Sequence, residues 1–346
     1  MTTVPPRFLL TQLNLTCNLR CQHCHLWRNH DRDRQIDKWS ELRLQAIREF
    51  AGLNPRGTVV SCSGEVLVEP RHYFDMCRVA RESGLTSMSV LNGTLIETQE
   101  QADDLLVRGA DEISLSLDHP REAIHDQQRG LRGSYRKTLR CLEMLLDARR
   151  RLGLPRKLYV MYLVSNVSYR DISEAYDLVL NQVGADKLKL NFLQPTFAQY
   201  HGKDTYWDLH TRNIDGQWLS EEIDRCEARH GLDFNPKWKE NVKCYTDSLA
   251  AYHRGGPMVT SGELCDSFDR NILLEIDGQL RLCFHPEFPS LMRYQEPGDL
   301  RRFWYSEEVA SLREKMRECR KFCGICHTFK RQPATREAAR RILGVE

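Results

Sequence analysis

From Phe8 to Phe192 the chain repeats one unit, a short apolar run followed by a longer amphipathic one. Residues 8–15, 58–61, 87–91, 112–117, 157–164 and 187–192 have the length and apolar content of strands. Between them, residues 38–51, 72–83, 99–108, 134–151 and 172–182 place apolar side chains at helical spacing, with Gly, Pro, Asn or Asp at the boundaries. Connections of this length suit parallel crossovers. The pattern therefore predicts an α/β fold, a partial (β/α)6 barrel of the TIM type, with its active site at the C-terminal ends of the strands.

The alternation stops near Thr196. A polar, aromatic-rich stretch (Tyr200, Tyr206, Trp207, Trp218, Trp238) then leads to Gly255-Gly256, where a second unit is expected to begin. In that unit residues 272–276 and 279–282 flank Asp277-Gly278, the signature of a hairpin closed by a two-residue type I′ turn. A helix is expected from about Ser306 to Cys319. The organisation read from these features is a barrel over 1–196, a linker contacting substrate over 197–255, a small α+β domain over 256–330 and a tail over 331–346.

Lys and Arg number 50 against 48 Asp and Glu, so no global field draws the protein to nucleic acid or an anionic membrane. No apolar run approaches the roughly 20 residues that span a bilayer, and the N-terminus lacks the order of a signal peptide. A cytoplasmic location is expected. There the 13 cysteines are suited to metal ligation or redox chemistry, since disulfides are rare where thiols are kept reduced.

Cys17, Cys21 and Cys24 form C-x3-C-x2-C directly after the first strand. Three thiolates on one loop match three irons of a [4Fe–4S] cube and leave the fourth iron open to a cofactor or substrate. The competing assignment is a structural zinc site, which wants a fourth ligand such as His23 or His25.

The motif resembles that of the radical S-adenosylmethionine (AdoMet) superfamily, with His23 at the position usually held by an aromatic residue. Ser63-Gly64-Glu65 looks like the family's Gly-Gly-Glu segment, which implies that Glu65 faces the AdoMet ammonium; Ser63 replaces a Gly and Val66 a Pro. Asn92-Gly93-Thr94 resembles the turn after the third strand. Ser114-Leu115-Ser116-Leu117-Asp118 resembles the fourth strand, which implies that Ser116 and Asp118 meet the AdoMet ribose or the substrate. Asn166 and Asn191, on the fifth and sixth strands, are weaker matches to cofactor-binding positions.

Cys265, Gly278 and Cys283 fit the opening of the related SPASM and twitch domains, and Cys323-Gly-Ile-Cys326 supplies a second pair. By resemblance these four cysteines hold a second, auxiliary [4Fe–4S] cluster, with Cys319 left over. A zinc ribbon is the alternative.

The resemblance implies an enzyme that cleaves AdoMet to a 5′-deoxyadenosyl radical, using electrons from a flavodoxin- or ferredoxin-type partner. The expected outcome is two-electron oxidation of a hydroxyl in a small carbohydrate- or aminocyclitol-like natural-product intermediate. Asp118, His119, His125 and Arg129, on one candidate loop, are the choices for the base. The alternatives are epimerisation with Cys62 or Cys244 as hydrogen donor, maturation of a ribosomal peptide, or a non-catalytic iron–sulfur or zinc protein. Peptide maturases of this kind usually carry a leader-binding domain before the first cysteine motif, and here sixteen residues precede Cys17. A cobalamin domain before the barrel is not expected either.

Overall fold

The computed structural model describes residues 4–24, 26–28, 36–194, 205–257, 266–285 and 288–319. Six strands run parallel in the order β6-β5-β4-β3-β2-β1: β1 (Phe8–Gln12), β2 (Thr58–Cys62), β3 (Thr86–Leu91), β4 (Glu112–Ser116), β5 (Lys157–Val164) and β6 (Lys187–Phe192). No described strand joins β6 to the far end of the sheet, so the barrel is unclosed, as expected.

The crossover helices cover one face: α1 (Ile36–Leu53), α2 (Pro70–Glu82), α3 (Gln99–Arg108), α4 (Glu122–Arg129), α5 (Ser134–Leu152) and α6 (Ile172–Tyr176). A π-helical turn, Asp177–Val183, continues the last of them. Period-two burial explains the layering. Val59, Ile113, Leu115, Leu158, Val160 and Leu188 are buried with Ile47, Phe50, Met76, Leu105 and Leu145 of the helices. The intervening residues, among them Val60, Met88, Ser116, Met161, Lys189 and Asn191, occupy the other face.

Two expectations change locally. The segment carrying His125 and Arg129, read as loop, is the helix α4, which buries the polar side chains of His125 and Gln128 and so shows no apolar stripe. The stretch read only as polar and aromatic contains α7 (Thr205–His210), α8 (Gly216–His230) and α9 (Pro236–His253). Asp215 caps α8 through Trp218 N at 3.0 Å, and Asn235 with Pro236 opens α9.

Beyond β1 the same sheet continues. β7 (Asn271–Leu274) pairs with β1 in parallel, and β8 (Gln279–Arg281) and β9 (Met292–Arg293) follow antiparallel. The β7–β8 hairpin forms, but not with a type I′ turn: in the loop only Gly278 has positive φ (87°). Gly278 N donates to Glu275 O at 3.0 Å and Glu275 N to Gln279 O at 2.9 Å, the pattern of a longer loop ending in a left-handed glycine bulge.

Helices α10 (Asp299–Tyr305) and α11 (Glu307–Arg317) close the described chain, α11 capped by Ser306 through Val309 N at 3.2 Å. Glu49 of α1 accepts from Gly298 N and Arg301 N, each at 2.9 Å, so the first crossover helix caps α10 from outside. No described helix is long and apolar enough to cross a membrane.

Candidate active site

The loop after β1 is held from two sides. On one side, Glu65 N donates to Thr16 O at 2.8 Å and Asn14 Nδ2 to Glu65 O at 3.0 Å, fixing it to the turn after β2. On the other, Gln22 N donates to Gln128 O at 2.9 Å and Arg20 N to Arg129 O at 3.3 Å, docking it on the last turn of α4. The C-terminal carbonyls of a helix lack partners of their own, and here the cysteine loop supplies them.

That dock needs Gly130, at φ 65°, because a Cβ there would sit 2.4 Å from Arg20 O. Gly130→Ala is expected to cost about 2 kcal/mol in urea unfolding and to lower iron retention after reconstitution. An unchanged midpoint would mean that the loop does not lean on α4.

Within the loop, Cys21 is buried and Cys17 and Cys24 half-buried. The three sulfurs lie close enough that each negative charge opposes the next. Burial pushes the Cys21 thiol up to about 12, and it raises Cys17 and Cys24 as well. Donors oppose it. Leu19 N reaches Cys17 Sγ at 3.4 Å, the amides of Leu26 and Trp27 serve Cys24, and Arg129 Nη1 stands 3.9 Å from Cys21 Sγ. Among the described residues no three such side chains meet about a single ion; three thiols carried on one loop, with amides and a guanidinium aimed at them, fit a cluster that takes one thiolate per iron.

The turn after β2 is left-handed at two successive residues, Ser63 (φ 71°) and Gly64 (φ 61°). It delivers Glu65 into the interior, 2% exposed, where Oε1 accepts from Leu67 N at 3.2 Å and Oε2 from Asn92 N at 2.7 Å. Burial outweighs these donors and lifts the carboxyl to about 7. After β3, Asn92 Nδ2 donates to Asn18 Oδ1 at 2.8 Å, Asn18 Nδ2 to Thr94 Oγ1 at 2.8 Å, and Thr94 Oγ1 to Asn92 Oδ1 at 2.8 Å. Asn18, which no spacing in the sequence singled out, thus joins the cysteine loop to the Asn92-Gly93-Thr94 turn.

Asp118, just past β4, is 1% exposed and accepts from Arg129 Nη2 at 2.5 Å through Oδ1. Burial works against its ionisation, yet Arg129, His23 and His125 outweigh it and hold the carboxyl below the usual range. Its Oδ2 and Arg129 Nε are buried without a hydrogen-bond partner among the described residues.

His119 is engaged at both ring nitrogens, whereas His125 keeps Nε2 buried without a hydrogen-bond partner among the described residues. His119 Nε2 meets Asp171 Oδ2 at 3.2 Å and its Nδ1 accepts from Arg121 N at 3.0 Å. His125 Nδ1 accepts from Asp118 N at 3.1 Å, and burial lowers that imidazole to about 4, so it is neutral.

Helix α7 brings Tyr206 over the same place. Its ring stacks on His210 (centroids 4.0 Å apart) and lies 6.1 Å from His23. Its hydroxyl feels Asp118, Cys21 and Arg129 and has no hydrogen-bond partner among the described residues. Asn166 anchors this helix, donating to Leu209 O at 2.9 Å and meeting His210 Nδ1 at 3.3 Å. Ser116 and Asn191 lie on the open face of the sheet, where Ser116 pairs in register with Met161 and Asn191 with Leu163.

Cys62 ends β2 beside Arg43 and Glu275, its thiol pushed by burial to about 12. Cys244 is half-buried on α9. Cys283 follows β8 and accepts from His285 N at 3.3 Å. Cys265, Cys323, Cys326, His25 and Tyr200 lie outside the described residues.

Residues 12–179 match the model of the Radical SAM superfamily. The AdoMet-dependent heme synthase of Methanosarcina barkeri is 28% identical over 194 residues, 56% of this chain and 52% of that protein, so the match spans about half the relative's length. Among solved structures, Streptococcus suis SuiB bound to precursor peptide SuiA superposes with a TM-score of 0.64 at 16% identity, covering 92% of this chain and 68% of that one. Histidine-tagged anSMEcpe with bound AdoMet gives 0.62 at 16% identity, covering 89% and 80%. The sequence match, the shared fold and the three cysteines on one loop agree: residues 12–179 carry a radical SAM superfamily core.

Proposed function

We propose that this chain cleaves AdoMet at a [4Fe–4S] cluster held by Cys17, Cys21 and Cys24, and that the net reaction is a two-electron oxidation of a hydroxyl on a small carbohydrate- or aminocyclitol-like substrate. The observation that carries the reading is three thiols on one loop, with their amide and guanidinium donors, beside the Glu65 turn. When bound and reduced, the cluster supplies the electron that breaks AdoMet, whose radical fragment takes a hydrogen atom from the substrate.

The chain's own residues orient and exclude. Glu65, held near neutral pKa by burial, is a carboxylate whose ionisation an incoming ammonium would favour. Ser116 and Asn191 line the open face, and Asn166 acts through α7 by fixing Tyr206 and His210. Of the four candidate bases, Asp118 keeps a buried oxygen for a substrate hydroxyl and its proton. Arg129 holds the other oxygen, Oδ1, and the Tyr206 hydroxyl lies near enough to feel the carboxylate.

An auxiliary cluster at Cys265, Cys283, Cys323 and Cys326 would accept the second electron. The amide at Cys283 Sγ suits a thiolate ligand. A flavodoxin- or ferredoxin-type protein is the proposed reductant. Cys62 supports a second outcome, epimerisation, because its buried thiol stays protonated at neutral pH as a hydrogen donor must. Product formed in D2O separates the two: deuterium on the reacting carbon, lost in Cys62→Ala, means epimerisation, while loss of two hydrogens means oxidation.

Iron and sulfide content after anaerobic reconstitution tests the cluster assignment. Wild type is expected to hold about eight irons and Cys17→Ala/Cys21→Ala/Cys24→Ala about four. Only wild type should make 5′-deoxyadenosine from AdoMet and dithionite. Zinc in place of iron, or no AdoMet cleavage, refutes the reading.

A further inference from the structure

We propose that Arg129 and Asp118 set the reduction potential of the cluster held by Cys17, Cys21 and Cys24, as an opposed pair of charges fixed by α4. The inference rests on the cluster assignment above and goes beyond it, by giving two residues outside the cysteine loop a redox role.

The geometry is specific. Arg129 is nearly buried and shares its guanidinium between Asp118 Oδ1, at 2.5 Å from Nη2, and Cys21 Sγ, at 3.9 Å from Nη1. One cation therefore stands beside a ligand sulfur, and one carboxylate stands directly behind that cation. Neither charge is free to drift. The backbone of Arg129 receives Arg20 N from the cysteine loop, and Asp118 is tied by its own amide to His125, one turn before Arg129 on the same helix.

Adding an electron to the cluster adds a negative charge. A cation beside Cys21 favours the reduced form and raises the potential, whereas the carboxylate opposes it. Burial keeps both effects from being screened, since Asp118 is 1% exposed. The two charges should thus have opposite signs of effect on one measurable number. A purely structural role for this pair, as a clip between β4 and α4, predicts no such opposition.

The test is an EPR-monitored redox titration of reconstituted full-length protein without AdoMet, following the signal that is absent from Cys17→Ala/Cys21→Ala/Cys24→Ala. Arg129→Gln is expected to lower the reduced-to-oxidised ratio at fixed potential about tenfold, a shift of ~59 mV for one electron. Arg129→Lys, which keeps the charge, should stay close to wild type. Asp118→Asn, which removes the opposing charge, should shift the midpoint upward.

Equal midpoints in wild type and Arg129→Gln, with the cluster intact, overturn the proposal. So do shifts of the same sign in Arg129→Gln and Asp118→Asn, which would report a disturbed loop rather than charge. If Arg129→Gln fails to hold a cluster, the upward shift in Asp118→Asn decides. Absence of the four-iron signal from wild type would remove the cluster assignment itself, a different failure that the iron count identifies.

Discussion

Gly64→Ala is expected to lose about 4 kcal/mol of stability and all AdoMet binding, although it adds a single methyl group. A Cβ at this position would lie 2.0 Å from Asn14 Oδ1 and 2.6 Å from Thr16 O, and φ is 61°. Asn14 cannot simply swing away, because its Nδ2 holds Glu65 O. The backbone between β1 and the cysteines would have to move, and the cysteine loop with it. Ser63→Gly is the control in the other direction. Ser63 holds φ 71° with a side chain, a conformation costing roughly 1 kcal/mol, and that side chain also hydrogen-bonds Cys62, so this substitution should raise stability by less than that amount. Urea unfolding of both variants, with AdoMet binding by equilibrium dialysis, checks the pair. A Gly64→Ala protein as stable as wild type would show that the turn relaxes more freely than its contacts allow.

The second large effect is hidden in the wild type by cancellation. Glu65 is raised from 4.5 to about 7 in the folded protein, so between those values the folded state holds a proton that the unfolded chain has lost. Stability contributed by Glu65 is therefore full below about pH 4.5 and falls by about 3 kcal/mol as pH rises to 7. His125 runs the other way. Lowered from 6.5 to about 4, it stays neutral when folded while the unfolded chain protonates, so its contribution is full above about pH 6.5 and is lost as pH falls to 4.

Over the shared window the two slopes nearly compensate. Glu65→Gln should leave a stability that rises with pH by about 3 kcal/mol between pH 4.5 and 6.5. His125→Asn, which keeps an acceptor for Asp118 N, should leave one that falls by a similar amount. Denaturant midpoints of the apo-protein at several pH values read both. Parallel profiles in wild type and the two variants would contradict the assignment.

The strands were legible because their period-two burial coincides with apolar runs and because Gly, Asn and Asp punctuate them. The 99–108 helix has its own markers, with Thr98 and Gln101 forming a reciprocal cap. Helix α4 was not legible, since its buried side chains are His125 and Gln128 and its apolar content is slight. Its function explains that composition: the buried face serves Asp118 and the cysteine loop rather than the core.

The cysteines of the site were visible in their spacing. Asn18 and Tyr206 were not visible as site members, because what marks them is a partner far along the chain: Thr94 and Asn92 for Asn18, and Asp118 and His23 for Tyr206. The hairpin turn was misread at one residue. Asp277-Gly278 has the composition of a two-residue turn, but the strands end earlier, at Leu274, and the loop takes up the difference with one left-handed glycine.

The pairing of β7 with β1 has a consequence for how the molecule is made. Leu10 lies against Leu273, so the strand that leads into the cysteine loop waits for a neighbour synthesised more than 250 residues later. At translation rates of about 5–20 residues per second, β1 spends many seconds with one row of amides and carbonyls unclaimed while the rest of the barrel already exists. That open edge is a template for a wrong strand. Slow synthesis of the segment that carries β7 would endanger the first strand, and a nascent chain halted before Asn271 would be the species for chaperones to guard.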